Sequence, residues 1–256
     1  MALKGEPMSS ILYKSLLFIL LLSVNAQAKN PIYSPTFDDL LQNTLHGEPY
    51  CFDDANITIN VPKFADNPAQ VPIYIDATKI KDAKRVIAFA DLNLIPEIMD
   101  IKLLNLKAIF SFSIRVAQET PIRVLVEDAN GLWHIGSANI KSFGGGCSTN
   151  SPEESKKFAL FLGKHKSHTV RKNKAYSINF SIFHPMETGL MFGTNPFYIK
   201  HLELYSKKER LASMELTSAI SQNPTMIFET IGGDGTYTIE LKDSDSNDYR
   251  ISTQVD

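Results

Sequence analysis

Apolar and polar residues alternate in short stretches along most of the chain. The clearest alternating stretches are residues 57–61, 108–116, 122–127, 176–182 and 237–241. A period of two is typical of β-strands that bury one face, and turn-forming groups such as Asp128-Ala129-Asn130-Gly131 separate neighbouring stretches. Short strands at this spacing predict antiparallel, immunoglobulin-like β-sandwiches, one on each side of the glycines at 144–146.

Helical periodicity is confined to two short segments. Residues 37–45 have the apolar spacing of one amphipathic helix. Residues 152–162 can form two helical turns before Gly163, within a polar region that we interpret as an interdomain linker. The prediction is an all-β protein with a first sandwich over residues 29–150, a polar linker over residues 151–174 and a second sandwich over residues 175–256.

The amino terminus has the pattern of a cleaved secretory signal peptide. Lys14 precedes apolar residues 15–24, and Asn25-Ala26-Gln27-Ala28 follows them as a small-residue cleavage site. The apolar run is about half of the ~20 residues that a spanning helix needs. We predict a signal peptide over residues 1–28, with the start at Met1 or Met8 left open and a retained anchor as the alternative. The mature protein is then expected to be soluble and periplasmic, with no stable membrane anchor.

Composition narrows the function classes. Hydrophobic residues make up 43% of the chain and charged residues 21%, as in an ordinary globular protein. The net charge of −2 provides no basic field for nucleic acid. The histidines lack zinc-ligand spacing, and no nucleophile, base and oxyanion donor can be assembled into a catalytic site. We therefore expect no nucleic-acid partner, no metal and no enzymatic activity.

The candidate chemistry lies in the sequence Gly144, Gly145, Gly146 and Cys147. Three glycines give the backbone its greatest conformational freedom, and a thiolate is the reactive form of cysteine in exchange reactions. We predict that Cys147 is a covalent attachment point on a glycine tether. The alternative is a disulfide with Cys51, either structural or redox-switched, because an exported protein with two cysteines favours pairing.

A second motif, His184-Pro185-Met186-Glu187-Thr188-Gly189, interrupts the strands of the second block. His184 and Glu187 could be a pair of metal ligands, but no further ligands are evident around them. We favour a structural turn over a metal site.

Both motifs match a known family. Residues 50–147, with Val71-Pro72-Ile73, the Ser113–Val116 strand and the glycine-cysteine tip, resemble the Y subunit of the periplasmic Sox carrier. Residues 176–249 resemble its Z subunit, on the His184–Gly189 motif. The fused order is similar to the SoxYZ-like carrier proteins associated with quinoprotein dehydrogenases.

The resemblance implies a sulfur carrier of thiosulfate oxidation built from two immunoglobulin-like sandwiches. Cys147 would hold a covalently bound sulfur intermediate, with no other cofactor, and exported redox enzymes such as c-type cytochromes or PQQ-dependent dehydrogenases would act on it. One departure is that no glycine follows Cys147 and that a whole domain does, so the tip is tethered at both ends. The alternative function is a docking module for a quinoprotein dehydrogenase or cytochrome, with Cys51–Cys147 as a structural disulfide.

Overall fold

The computed structural model describes residues 29–145, 152–190, 193 and 195–255, and these contain two helices and fifteen strands. The helices are α1 (Phe37–Leu45) and α2 (Pro152–Phe161). The strands are β1 (Tyr50–Phe52), β2 (Thr58–Asn60), β3 (Val71–Asp76), β4 (Arg85–Ala90), β5 (Glu97–Leu103), β6 (Leu106–Ile114), β7 (Thr120–Glu127), β8 (Trp133–Ile140), β9 (His165–Lys172), β10 (Ala175–Ile182), β11 (Ile199–Ser206), β12 (Glu209–Leu216), β13 (Thr225–Thr230), β14 (Thr236–Asp243) and β15 (Asp248–Gln254). The predicted all-β class is confirmed.

The strands form two sheets that enclose a shared hydrophobic core. The nine-stranded sheet has the order β1-β8-β7-β4-β5-β12-β11-β14-β15, and the six-stranded sheet has the order β2-β3-β6-β13-β10-β9. Each sheet takes strands from both halves of the chain. The halves meet edge to edge, since β5 pairs with β12 and β6 pairs with β13, both antiparallel. The two predicted sandwiches therefore share both sheets and one core cluster.

Helix α1 covers the outer face of the nine-stranded sheet. Its buried residues Phe37, Leu41 and Leu45 pack in a second apolar cluster that includes Trp133 of β8 and Leu125 of β7. Strand β7 is consequently buried on both faces over most of its length. The helix predicted over residues 37–45 is thus present, and it covers the outer face of the strands from the first half of the chain.

The segment predicted as a linker, residues 151–174, carries regular structure. It contains α2 and then β9, whose eight residues pair with β10 in an antiparallel register. Strand β9 is the edge of the six-stranded sheet, and most of its side chains are exposed. Edge strands commonly carry charged residues, so the polar composition of this segment is explained by its position in the sheet rather than by a loose connection.

The predicted signal peptide, residues 1–28, lies outside the described residues. None of the helices in the described part of the chain has the length and apolar character needed to cross a bilayer.

One end of the sandwich gathers the loops that matter for the site. Strands β6, β8 and β10 end there, and β3 and β13 begin there, because β3–β6, β6–β13, β13–β10 and β7–β8 are all antiparallel pairs. We call this the tip end, since the chain leaves β8 at this end and continues into the glycines.

Candidate functional site

The chain that leads to Cys147 is anchored before it leaves the sandwich. Lys141, directly after β8, forms a parallel bridge with Phe64, and its carbonyl accepts a hydrogen bond from the Ala65 amide at 2.9 Å. Phe143 is 94% exposed, and its ring centroid lies 5.0 Å from that of Phe64. The tether therefore starts from a fixed point on the rigid body, and two aromatic rings mark that point on the surface.

The first two glycines of the tether adopt conformations that suit glycine. Gly144 and Gly145 both have φ of +94°, which side chains rarely tolerate. A Cβ on Gly144 would lie 3.1 Å from the Ala117 carbonyl oxygen. Gly146 and Cys147 lie outside the described residues, and the predicted carrier role of Cys147 stays a prediction. Cys147 follows Gly145 by two residues, which is a chain length of about 7 Å at most.

The chain returns at the same end of the sandwich. Helix α2 packs against Phe183, which directly follows β10: the Phe158 ring centroid lies 4.7 Å from that of Phe183, and the Phe161 centroid lies 5.8 Å from it. On the departing side, Gly145 lies near Pro68, ahead of β3. In the six-stranded sheet, the junction between β6 and β13 lies between these two anchors. The segment before the tip is therefore held on the first half of the chain, and the segment after the tip is held on the second half. The β6–β13 junction lies between these two attachment points.

Cys51 occupies a different place in the fold. It lies on β1, which pairs in parallel with β8, and it is opposite His134. Its Sγ is 3.7 Å from His134 Nδ1, and that nitrogen is 2.8 Å from Asp53 Oδ2. Burial, together with the nearby charges of Asp53 and Asp128, raises the pKa of the Cys51 thiol. Cys51 is thus held as a protonated thiol, the less reactive form.

The alternative of a disulfide between Cys51 and Cys147 stays a prediction, because Cys147 lies outside the described residues. Cys51 is a free cysteine in the structure. His134 and Ile140 are separated by six residues of extended strand, or roughly 20 Å, and the tether begins beyond Ile140. A disulfide needs Cα atoms within about 7 Å of each other. Cys51 and the described start of the tether, at Phe64 and Pro68, therefore lie at different places in the fold.

Alkylation is expected to distinguish Cys51 from an ordinary thiol. In the native protein at pH 7.5, iodoacetamide should modify Cys51 more slowly than in the urea-unfolded protein, because the raised pKa lowers its thiolate fraction. Asp53→Asn should speed native labelling about threefold by removing a nearby negative charge, whereas Asp66→Asn should leave it unchanged. Peptide mapping by mass spectrometry gives the rate at Cys51 alone. Equal rates in the native and unfolded protein would contradict the assignment.

The His184–Gly189 motif is held against the first half of the chain by Arg115. This buried guanidinium follows β6, and it donates to the carbonyl oxygens of Pro185 at 3.0 Å and Met186 at 2.7 Å. It also donates to the carbonyls of Ser218 at 3.0 Å and Ile220 at 2.7 Å. All four acceptors belong to the second half. Arg115 therefore joins the two halves at the tip end.

His184 itself is fully buried. Its Nδ1 accepts a hydrogen bond from the Met186 amide at 3.2 Å, and its Nε2 lies 3.7 Å from Asp243 Oδ2 and has no hydrogen-bond partner among the described residues. Burial lowers the pKa of His184 to about 4, and the Asp243 carboxylate opposes this shift without overcoming it. At neutral pH the ring is uncharged and acts as part of the packing.

The rest of the motif is also built into the backbone. Glu187 forms an antiparallel bridge with Phe197, and a Cβ on Gly189 would lie 2.6 Å from the Pro196 nitrogen. Within the described residues, no group of three or more His, Cys, Asp or Glu side chains is arranged to hold a metal ion. The motif is a turn that receives Arg115.

Sequence reasoning did not single out Arg115 or a second buried arginine, Arg123. Arg123 Nε lies 3.0 Å from Asp91 Oδ2, and both side chains are fully buried. Its guanidinium lies over the Phe37 ring at 4.2 Å and donates to Asn30, which ties the segment before helix α1 to the sheet. The available signal was an arginine inside each of two strongly apolar strand segments, at Ile114-Arg115-Val116 and Ile122-Arg123-Val124.

Fold and site together define a class of protein: an immunoglobulin-like, two-sheet protein whose first half ends in a glycine-cysteine sequence, with the described residues before and after that sequence anchored at one end of the sandwich. A family model described as "Sulfur oxidation protein SoxY" matches residues 41–147, and one described as "Sulphur oxidation protein SoxZ" matches residues 165–255. Together the two matches cover more than three quarters of the chain. The chain therefore belongs to the SoxY and SoxZ families, with one unit of each fused into a SoxYZ-like protein.

Solved structures give weaker likenesses. "Structure of the sulfur carrier protein SoxY from Chlorobium limicola f thiosulfatophilum" matches at 23% identity and a TM-score of 0.38, over 42% of this chain and 96% of that one. A β-glycosidase from Bacteroides vulgatus matches at 6% identity and a TM-score of 0.24, over 81% of this chain and 25% of that one. Both TM-scores are too low to carry a functional argument. No curated protein matches the chain.

Proposed function

We propose that this protein is a periplasmic, non-catalytic carrier that holds a sulfur-linked group on Cys147 and presents it to exported redox enzymes. The observation that supports the proposal is the anchoring of the described residues that flank the tip. The SoxY unit ends in Gly144-Gly145-Gly146-Cys147, and the described residues on both sides of this tip are anchored at one end of a rigid sandwich. A thiol at that place is available to a partner without unfolding of the body.

Carriage of sulfur requires only thiol exchange. The Cys147 thiolate attacks the outer sulfur of a partner's persulfide, the S–S bond of that persulfide breaks, and the partner's thiolate leaves. Cys147 then carries the persulfide, and the reverse attack by a second partner releases it. The transfer needs no external oxidant and no catalytic site on this chain, which fits an absence of enzymatic activity.

The two cysteines differ in their suitability for this chemistry. Cys51 has a raised pKa and is partly buried next to His134. A carrier thiol must visit partner sites and must ionise to react. These requirements favour Cys147 over Cys51.

Apolar side chains around the tip support docking of a partner protein. Phe143 is 94% exposed, Leu94 is 65% exposed and Leu190 is 48% exposed. Leu94 and Leu190 line one small pocket next to Arg115. Exposed apolar groups that cluster around a functional feature are common at protein interfaces. We propose exported redox enzymes, such as c-type cytochromes or PQQ-dependent dehydrogenases, as the partners.

Intact-mass spectrometry of the protein purified from the periplasm of its own host tests the proposal. The wild type should carry a mass adduct that a reductant removes, and Cys147→Ser should lose the adduct completely while keeping its circular dichroism spectrum. Cys51→Ser is the matched control and should keep the adduct. An amino terminus at Lys29 in the same sample would establish export and cleavage.

Two outcomes would reject the carrier. One is an adduct that persists in Cys147→Ser. The other is a wild-type protein with no adduct and with Cys51 and Cys147 joined in the purified native state, which would instead establish the docking module.

A further inference from the structure

A second feature of the tip end is an open cleft of about 400 Å³ on the SoxZ side. The chain between α2 and β9, the end of β10 and the loop before β13 form its sides. Phe161 and Phe183 are its aromatic lining, Lys164, His165 and Lys166 contribute basic groups, and Asn223 lies opposite them. Among the described residues, no carboxylate lines this cleft.

The basic groups of the cleft are available to a ligand. Within the described residues, neither Lys164 nor Lys166 forms an ion pair with a carboxylate. The Lys164 ammonium lies 4.4 Å from the centroid of the Phe161 ring, so an aromatic face holds the cation at the mouth of the cleft. Lys166 pairs with Ser181 across the β9–β10 ladder, and directly opposed residues place their side chains on the same face of the sheet.

Neutral donors complete the lining. The Asn223 side-chain oxygen accepts from the His184 amide at 3.1 Å, which leaves the Asn223 Nδ2 group as a donor. The Ser181 hydroxyl is a further donor in the cleft. Two ammonium groups, an amide and a hydroxyl beside two aromatic rings are suited to a small anion that combines charged oxygens with a soft, apolar atom.

We infer that this cleft is a binding site for a small sulfur oxyanion of the thiosulfate type. The oxyanion end would be held by Lys164, Lys166 and the neutral donors, and the outer sulfur would contact the Phe161 and Phe183 rings, because divalent sulfur packs favourably against aromatic rings. The choice of a sulfur anion rests on the proposed function. The cleft itself lies where α2, the element that follows the Cys147 tip, packs on Phe183.

Sulfate is the informative comparison ligand. It has the charge of thiosulfate and nearly its shape, but it lacks the outer sulfur. A site made only of lysines would bind the two ions equally, whereas a site that also uses the aromatic lining should prefer thiosulfate several-fold.

The experiment is an NMR titration of the mature Cys147→Ser protein, in which no thiol exchange at residue 147 can occur. Sodium thiosulfate and sodium sulfate are added separately at constant ionic strength. We expect saturable shifts confined to the amides of residues 164–166, 181 and 223, with a thiosulfate Kd of the order of millimolar. The double variant Lys164→Gln/Lys166→Gln should weaken binding at least about five-fold. Lys174→Gln, at the opposite end of the β9–β10 ladder, is the matched control and should bind as the parent does.

Four results would overturn the inference. Shifts that spread over surface lysines without saturating would show general ionic attraction. Equal affinity for sulfate would show that the aromatic rings do not contribute to binding. Unchanged binding by the double variant would show that Lys164 and Lys166 do not bind the anion. Absence of any shift would show that the cleft does not bind these anions. Because the titrated protein lacks Cys147, failure here leaves the carrier proposal standing, and a rejection of the carrier by the mass-spectrometry experiment leaves this site standing.

Discussion

Replacing Arg115 with methionine is expected to lower the free energy of unfolding by about 3–5 kcal/mol. The guanidinium donates to four carbonyl oxygens of the SoxZ unit, at Pro185, Met186, Ser218 and Ile220. Methionine fills similar space but donates nothing, so these carbonyls lose their charged donor in a buried place. Each buried acceptor without a partner costs about 1–3 kcal/mol, and local rearrangement recovers part of the total.

Urea denaturation followed by circular dichroism measures this effect. The matched control is Arg250→Met, because Arg250 is a 70% exposed arginine paired with Glu240 on neighbouring strands of the SoxZ unit. Surface pairs of that kind contribute about 0–1 kcal/mol. A loss in Arg115→Met no larger than that in Arg250→Met would mean that Arg115 does not hold the two units together.

The burial of Arg115 could not be predicted from the sequence. Alternation places Arg115 on the face opposite Ile114, which for a sandwich strand is the solvent face. It is buried because a loop of the other unit covers it, and periodicity within one strand contains no information about that loop. The sequence predicted a structural turn at the His184–Gly189 motif, but the hydrogen bonds that its carbonyls accept from Arg115 join residues about 70 positions apart, which no local pattern predicts.

The edge-to-edge pairing of the two units could not be predicted from the sequence for a related reason. The alternating residues of β6 and β13 predict strands, and both strands exist. A strand pattern states which face is buried, but it does not state which edge finds a partner. Two separate sandwiches and one shared pair of sheets therefore have the same local pattern. The fusion of the units through β5–β12 and β6–β13 became visible only in three dimensions.

The linker prediction was made from composition, and composition did not distinguish a solvated connection from an edge strand. Residues 165–172 are rich in lysine and histidine, which suggested a solvated connection. An edge strand has one free edge and here has mostly exposed side chains, so the same composition is compatible with a strand. At Gly144 and Gly145 composition and backbone agree, since both residues have a positive φ that glycine adopts readily and other residues rarely do.

Acid is expected to destabilise this protein through His184, by about 2 kcal/mol between pH 7 and pH 4.5. The pKa of His184 is about 4 in the folded protein and 6.5 in an ordinary environment. The unfolded state therefore binds the proton more readily. The stability linked to the neutral ring is fully present above pH 6.5 and is lost as the pH falls from 6.5 towards 4. Asp243 adds nothing in this window, because hydrogen bonds from Asn247 and Tyr249 outweigh burial and keep its pKa below 3.8.

Urea denaturation at a series of pH values between 7.5 and 4.5 measures this loss. His184→Gln cannot gain a proton in this range, so its stability should be lower at pH 7 but should change less with pH. His168→Gln, at an exposed position on β9, is the control and should retain the full acid loss of the wild type. If His184→Gln loses stability with acid as steeply as the wild type does, His184 is not the group that senses the pH. The acid-induced loss of stability would then have to come from a different titrating group.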